Sequence, residues 1–389
     1  MTVRKLPAEL GYRMPAEWEE HASTWLAWPH FRGDWPGKFE PIPWVYAEII
    51  RNLARNERVD LIVKSDAAEK HARAILERAD ALSENICFHH WRTDRVWTRD
   101  SGCIFLSRES RAASRELDSH NRPPAAGNSQ LEPDDRSLAV RGSQLIALHF
   151  QFNAWAKYDN YKLDARVGAR MAKAAGAQIV RPKFGYRTEY PIVLEGGSID
   201  VNGCGTLLTT EECLLSPTQQ RNPSMNRAAY EQMFAECFGA PNVIWLGEGI
   251  EGDDTHGHVD DLTRFVAPDT VVTMVEANAQ DENYSALQHN LGRLRAARNQ
   301  DGHRLNVVEI PMPRPVIFEG RRLPASYANF YIANGCVLIP IFNDANDRIA
   351  LNTLAELFPG REVIPIYSGD LIWGFGALHC MTQQEPKID

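Results

Sequence analysis

The sequence predicts an α/β fold, and three observations carry the prediction. Short β-branched and aliphatic runs recur along the chain, stretches with helical apolar spacing lie between them, and the alternation runs to the C-terminus without an obvious linker. The first amphipathic stretch is WVYAEIIRNLARN (44–56), followed by the strand-like RVDLIV (58–63) and a second helical stretch, AAEKHARAILERADAL (67–82). QLIALHF (144–150) reads as a strand. MNRAAYEQMFAECF (225–238) reads as a helix feeding the strand NVIWLG (242–247). TVVTMVEA (270–277), helical YSALQHNLGRLRAARN (284–299) and LNVVEIP (305–311) repeat the order, as do VLIPIF (337–342), ALNTLAELF (350–358) and EVIPIY (362–367). One stretch, SRESRAASRELDSHNRPPAAGNSQLEPDDRS (107–137), is polar and poor in aromatics, and is expected to be a mobile surface insertion. No clean internal sequence repeat is visible.

Composition narrows the function classes. A net charge of −9 disfavours a nucleic-acid partner and suits a cationic ligand. The N-terminal stretch has no apolar core of a signal peptide, and no window approaches the ~18 to 20 apolar residues of a spanning helix. Seven cysteines, an odd number without paired spacing, argue for reduced thiols and a cytoplasmic location.

Four segments concentrate the chemistry: VWTRDSG (96–102), VLEGGSID (193–200), DDTHGHVDD (253–261) and GFGALHCMTQQEP (374–386). On residue type alone Cys380 is a buried small hydrophobe, and Asp100 is a surface carboxylate paired with Arg99. Glu195, ending an apolar run at a Gly-Gly turn, is more suggestive. In DDTHGHVDD, strand alternation would put His256, His258 and Asp260 on one face, which opens the alternative of a metal-dependent hydrolase. The same alternation turns His379 away from the Cys380 thiol, so His258 is the better candidate base.

These segments carry a resemblance. Together with RMPAEWEEHASTWLAWP (13–29), FNAWAKYD (152–159), PASYANFYIANG (324–335) and FNDANDRIAL (342–351), they resemble the agmatine deiminase family almost end to end. That family lies in the guanidino-group-modifying pentein superfamily, which includes peptidylarginine deiminases. The resemblance implies a single domain over 1–389, a five-bladed α/β propeller with its site in a central channel. It implies Cys380 as nucleophile, His258 as acid and base, Asp100 and Asp260 as guanidinium-binding carboxylates, and Glu195 as a supporting group. Trp97 and Trp155, with Trp28, would line the channel. No metal or organic cofactor, no nucleic acid and no membrane is implied, and a homo-oligomer is compatible with the family. Where the family usually reads DETDGHVDN and GGGNIHC, this chain has DDTHGHVDD and GFGALHC. Asp254, His256, Asp261, Phe375, Ala377 and Leu378 therefore depart from the pattern.

The chemistry implied is hydrolysis of agmatine to N-carbamoylputrescine and ammonia through a thiouronium on Cys380. Free arginine or peptidyl-arginine on the same fold is the alternative substrate, and an inactive guanidine-binding propeller is a third possibility.

Overall fold

A computed structural model describes residues 6–108, 144–184 and 190–388. Among the described residues the strands form five sheets of three or four strands and two two-stranded ribbons. Each larger sheet repeats one local order: a leading strand pairs antiparallel with a central strand, and a helical crossover returns the chain to a parallel partner.

Ile104–Ser107 pairs antiparallel with Leu145–Leu148, and the helix Val167–Ala174 leads to parallel Gln178–Val180. Asp200–Val201, Thr206–Thr210 and Asn242–Leu246 repeat the order across the helices Glu211–Leu215 and Arg227–Phe238. Thr263–Ala267, Thr270–Val275 and Asn306–Pro311 do so across Tyr284–Ala296. Tyr331–Ile332, Cys336–Ile341 and Glu362–Tyr367 do so across Asp347–Leu357. The fifth sheet joins the chain ends, because Gln383–Pro386 pairs antiparallel with His21–Ala27. His21–Ala27 then continues through the helix Ile42–Leu53 to parallel Arg58–Val63, and through Asp66–Arg78 to Ile86–His90.

Most central and returning strands are those the sequence predicts, because they are β-branched or aliphatic runs; His21–Ala27, Ile86–His90, Gln178–Val180 and Thr206–Thr210 are strands that it does not predict. The leading strands are short and rich in polar residues, so their signal is weak. They matter most for the site. Asp100 lies just ahead of Ile104–Ser107, Glu195 ahead of Asp200–Val201, and His258 and Asp260 ahead of Thr263–Ala267. Asn329 lies ahead of Tyr331–Ile332, and Cys380 ahead of Gln383–Pro386. Five equivalent loops thus converge. The insertion expected at 107–137 lies, from residue 109 onward, outside the described residues; Ser107 itself pairs with Leu145.

Beneath these loops lies a buried ionic lattice. Arg264 is fully buried, donating Nη1 to the Phe330 carbonyl at 2.8 Å and Nε to Asp200, with Nη2 in an ion pair 2.9 Å from Glu17 Oε1. Glu17 also takes Arg99 at 3.1 Å and the His379 ring at 2.8 Å. Burial pushes the Glu17 carboxyl up, but Arg264, His379 and Arg99 together hold it well below the usual range. No described helix is long and apolar enough to cross a membrane.

Removing the centre of that lattice leaves buried Asp200 without its cation and takes one of three cationic partners from Glu17. Arg264→Ala is expected to cost about 3–5 kcal/mol of unfolding free energy, measured by urea denaturation. A loss below about 1 kcal/mol would mean that the lattice is not structural.

Candidate functional site

Cys380 sits in a turn and lines a pocket of about 360 Å³, open to solvent, together with Trp97, Trp155, Tyr158, Asp254 and Phe375. Asp100 and Thr255 contribute to the same lining. The Gly-x-Gly ahead of Cys380 is a packing requirement. A Cβ on Gly376 would stand 2.7 Å from the Trp97 ring and 3.1 Å from Cys380 Cβ, and Phe375 between the glycines holds φ +65°. Neighbouring backbone therefore reaches the thiol closely only because Gly376 has no side chain.

Asp100 is buried on the short helix Thr98–Ser101, which orients Arg99 and Asp100 differently. Arg99 runs to Gln384 at 2.7 Å and Glu17 at 3.1 Å, outside the pocket lining. Asp100 accepts the Trp155 indole N–H at 2.8 Å and the Gly197 amide at 3.0 Å. The pairing of Asp100 with its neighbour Arg99, the simplest reading of the dipeptide, is therefore absent. Gly197 is the second glycine the site requires: a Cβ there would lie 2.5 Å from His258 Nδ1 and 3.0 Å from Asp260 Oδ2.

His258 is fully buried between three carboxylates. Its Nδ1 lies 4.0 Å from Asp100 and 3.9 Å from Asp260, and its Nε2 lies 3.8 Å from Glu195. These are ion-pair separations, longer than hydrogen bonds. Burial alone would depress the imidazolium, but Asp100, Cys213 and Glu195 outweigh it and raise the His258 pKa well above its ordinary value. Glu195 is anchored by Arg221 at 3.1 Å. Burial pushes its carboxyl up, yet Arg221 and His258 bring it down to about 2.

Cys380 Sγ lies 3.7 Å from Asp260 Oδ2 and receives Asn329 Nδ2 at 3.0 Å. Burial, with Asp260, Asp261 and Asp100 around it, pushes the thiol pKa well up. Asp260 itself is held ionised: burial opposes this, but His379 Nδ1, 2.6 Å from Oδ2, prevails. Four polar atoms here are buried without a hydrogen-bond partner: Asp260 Oδ1, Glu195 Oε2 and both ring nitrogens of His258. Buried polar atoms are seldom left unpaired, so such a set marks a place for a ligand with several N–H or O–H groups.

The structure brings together Cys380, His258, Asp100, Asp260, Glu195, Trp97 and Trp155. It separates His256. Residues 253–261 form a turn rather than a strand, with His256 at φ +65° and a 3₁₀ turn at Val259–Asp261. His256 points to Glu212 at 3.4 Å and Ser216 at 3.2 Å, in a different cleft, so no shared face with His258 and Asp260 exists. The metal reading built on those three residues is corrected accordingly. Trp28 is also corrected: it is core, packed edge-on to Tyr46 at 6.2 Å and outside the pocket lining. His379 does not occupy the extended segment that the alternation argument assumed. It lies in a turn, bridging Asp260 and Glu17.

Sequence reasoning overlooked Asn329, Arg221, Glu17 and the Asp254 cluster. Asp254 binds Lys157 Nζ and the Tyr158 hydroxyl, each at 2.5 Å. Arg95 at the pocket wall is paired with Asp34 and lies 4.2 Å over the Tyr158 ring. Asp253 accepts the amides of Thr255, Gly257 and His258 at 2.8, 2.7 and 3.1 Å, fixing the His258 loop.

The family model described as Porphyromonas-type peptidyl-arginine deiminase matches residues 13–386. An agmatine deiminase of Stutzerimonas stutzeri is 32% identical over 408 aligned residues, covering 99% of this chain and 98% of its own. The solved agmatine deiminase of Enterococcus faecalis superposes with a TM-score of 0.81 at 27% identity, over 99% of this chain and 98% of the other. An agmatine deiminase of C. jejuni with substrate bound gives 0.77 at 28% identity, over 97% and 96%.

The charge state of His258 is directly measurable. With its pKa raised, the imidazolium should persist as pH climbs past about 6.5, and removing Asp100, the anion that raises it most, should release the proton earlier. Histidine ¹⁵N NMR at pH 7.5 is expected to show His258 protonated in the parent protein and neutral in Asp100→Asn. A neutral ring in both would contradict the electrostatics described.

Proposed function

The chain belongs to the Porphyromonas-type peptidyl-arginine deiminase family, and on that footing we propose that it hydrolyses the guanidinium of agmatine to a ureido group. The activity is that of a hydrolase acting on C–N bonds of amidines. The observation that carries the reading is one thiol, Cys380, lining a pocket with Asp100 and lying 3.7 Å from the buried carboxylate of Asp260. A guanidinium supplies both the charge and a planar fork of N–H donors suited to Asp100 and Asp260.

The reaction follows from the charges. A thiol near its ordinary pKa of ~8.5 is already mostly protonated at neutral pH, and here it is protonated still further. Arrival of a cation between Asp100 and Asp260 cancels the field that opposes ionisation, so the thiol releases its proton to solvent, where the departing ammonia later takes one up, and thiolate forms only when substrate is present. Sulfur bonds to the guanidinium carbon, giving a neutral tetrahedral adduct. His258, held as imidazolium, gives its proton to one NH₂ group, which leaves as ammonia with cleavage of that C–N bond. The thiouronium left on Cys380 is attacked by water as the now neutral His258 takes a water proton. Cleavage of the C–S bond then releases the ureido product and restores the thiol.

The pocket mouth supports agmatine over arginine. Among the described residues, Arg95 and Lys157 beside the pocket are engaged by Asp34 and Asp254 respectively, and Arg321 lies 4.5 Å over the ring of Phe375 in the pocket wall. An α-carboxylate would have to compete with Asp34 for Arg95 and with Asp254 for Lys157, leaving Arg321 as its candidate partner, whereas an ammonium would meet the faces of Trp155 and Tyr158 beside Asp254. The family description leaves a second reading, peptidyl-arginine, and the altered loops at Asp254 and Phe375 are where the two would diverge. We also infer that the five larger sheets are the blades of a propeller around this pocket. Their common strand order and the contribution of each leading loop to one site support that arrangement.

Cys380→Ser is expected to abolish ammonia release with the fold intact, and chelators to leave activity unchanged. Activity lost in EDTA and restored by zinc would defeat the thiol mechanism. Asp100→Asn and Asp260→Asn should each cost about 3 kcal/mol, roughly a hundredfold in kcat/KM. Agmatine is expected to exceed free arginine by at least tenfold in kcat/KM, about 1.4 kcal/mol, with an internal peptidyl-arginine poorer still. Equal turnover of the peptide would reassign the substrate.

A further inference from the structure

Behind His258, on the side away from the nucleophile's carboxylate Asp260, lies a group of side chains that the proposed reaction does not use together. Cys213 is buried on the helix Glu211–Leu215, and its thiol, a carboxylate oxygen of Glu195 and a ring nitrogen of His258 all lie within 4.8 Å of one another. All three residues are almost fully buried. Glu195 uses Oε1 for Arg221 and leaves Oε2 without a partner, and neither His258 nitrogen has one. Thr210 fixes the position of Cys213 by accepting its amide at 3.1 Å while donating to the Gly257 carbonyl at 2.5 Å, which ties the thiol to the His258 loop.

We propose that Glu195, Cys213 and His258 form an inhibitory binding site for a borderline-soft divalent cation of the zinc class. The donor set is one thiolate, one imidazole and one carboxylate, the mixture that zinc prefers. The geometry is close. Zinc bonds of about 2.0–2.3 Å put tetrahedral ligand atoms roughly 3.3–3.7 Å apart, and Glu195 Oε2 stands 3.8 Å from His258 Nε2. The charge also balances. Binding expels one proton from the Cys213 thiol and one from the His258 imidazolium, so a doubly charged ion replaces two single charges. Arg221 on Glu195 opposes the ion, while Asp100 and Asp260, on the far side of the ring, favour it. Occupancy removes the imidazolium proton and takes up a ring nitrogen, and so stops acid catalysis by His258. This site differs in both residues and effect from a catalytic metal centre. It depends on the proposed role of His258 only for its inhibitory outcome.

The binding test needs no turnover. A parent protein carrying Cys87→Ser, Cys204→Ser and Cys380→Ala lacks the exposed thiols and the pocket thiol. Titrated with cadmium chloride, it is expected to bind one equivalent with the ultraviolet charge-transfer band of a thiolate–cadmium bond. Adding Cys213→Ser should remove the band and weaken binding at least tenfold with unchanged circular dichroism, and adding His258→Gln should weaken it comparably while keeping the thiol. A band that survives Cys213→Ser, or no cadmium bound by the parent, overturns the site. In protein retaining Cys380, zinc should inhibit agmatine hydrolysis, with Cys213→Ser at least tenfold less sensitive. Equal sensitivity would overturn the inhibitory role. A protein with no agmatine turnover at all would defeat the substrate reading, leaving the cadmium titration to judge the site.

Discussion

Asp260 occupies the point at which the demands of the site meet. One of its oxygens lies between the His379 ring and the Cys380 thiol, and the other is buried and unpaired beside His258. A carboxylate kept ionised in such surroundings opposes a second anion nearby, which is why the thiol stays protonated, and attracts a planar cation, which is why the pocket has a ligand preference. Asp100 strengthens both effects from the same Nδ1 side of His258. The thiol, the histidine and the choice of ligand all follow from this excess of buried negative charge.

Such an excess persists only if the scaffold resists it. The lattice of Arg264, Glu17, Arg99 and His379 supplies that resistance by linking Asp260 through His379 to a carboxylate that is itself neutralised by two arginines. Arg221 does the same for Glu195. Arg221 takes one oxygen of Glu195 and His379 one oxygen of Asp260, and the second oxygen of each is left without a hydrogen bond. Asn329 complements them by donating to both Cys380 and Asp261, which keeps the thiol oriented without adding charge.

Although His21–Ala27, Ile86–His90, Gln178–Val180, Thr206–Thr210 and the short helices Val167–Ala174 and Glu211–Leu215 were not read, much of the architecture was legible in the sequence because most central and returning strands are β-branched or aliphatic runs and the longer crossover helices carry an apolar stripe. The leading strands were not, since two-residue elements such as Asp200–Val201 and Tyr331–Ile332 have no periodicity to read. Those strands deliver the site. Cys380, His258, Asp100, Asp260 and Glu195 were therefore found through the family resemblance rather than from spacing. Two arguments from strand alternation failed for one reason: the backbone around His256 and His379 turns. His256 consequently leaves the site, and His379 enters it as the partner of Asp260. Asn329 and Glu17 lay inside segments that carried the resemblance, but an amide and a glutamate give no local signal when their partners come from distant parts of the chain.

The most direct test concerns the ionisation of Cys380 with and without a cation in the pocket. The thiolate absorbs in the ultraviolet, so the difference between the protein and its Cys380→Ala variant, followed against pH, reports this one group. The account predicts a free-enzyme thiol pKa above the ordinary ~8.5 and a fall toward neutrality when a non-hydrolysable guanidinium compound is bound. A thiolate already present at neutral pH in the empty pocket, or a pKa unmoved by the bound cation, would contradict it.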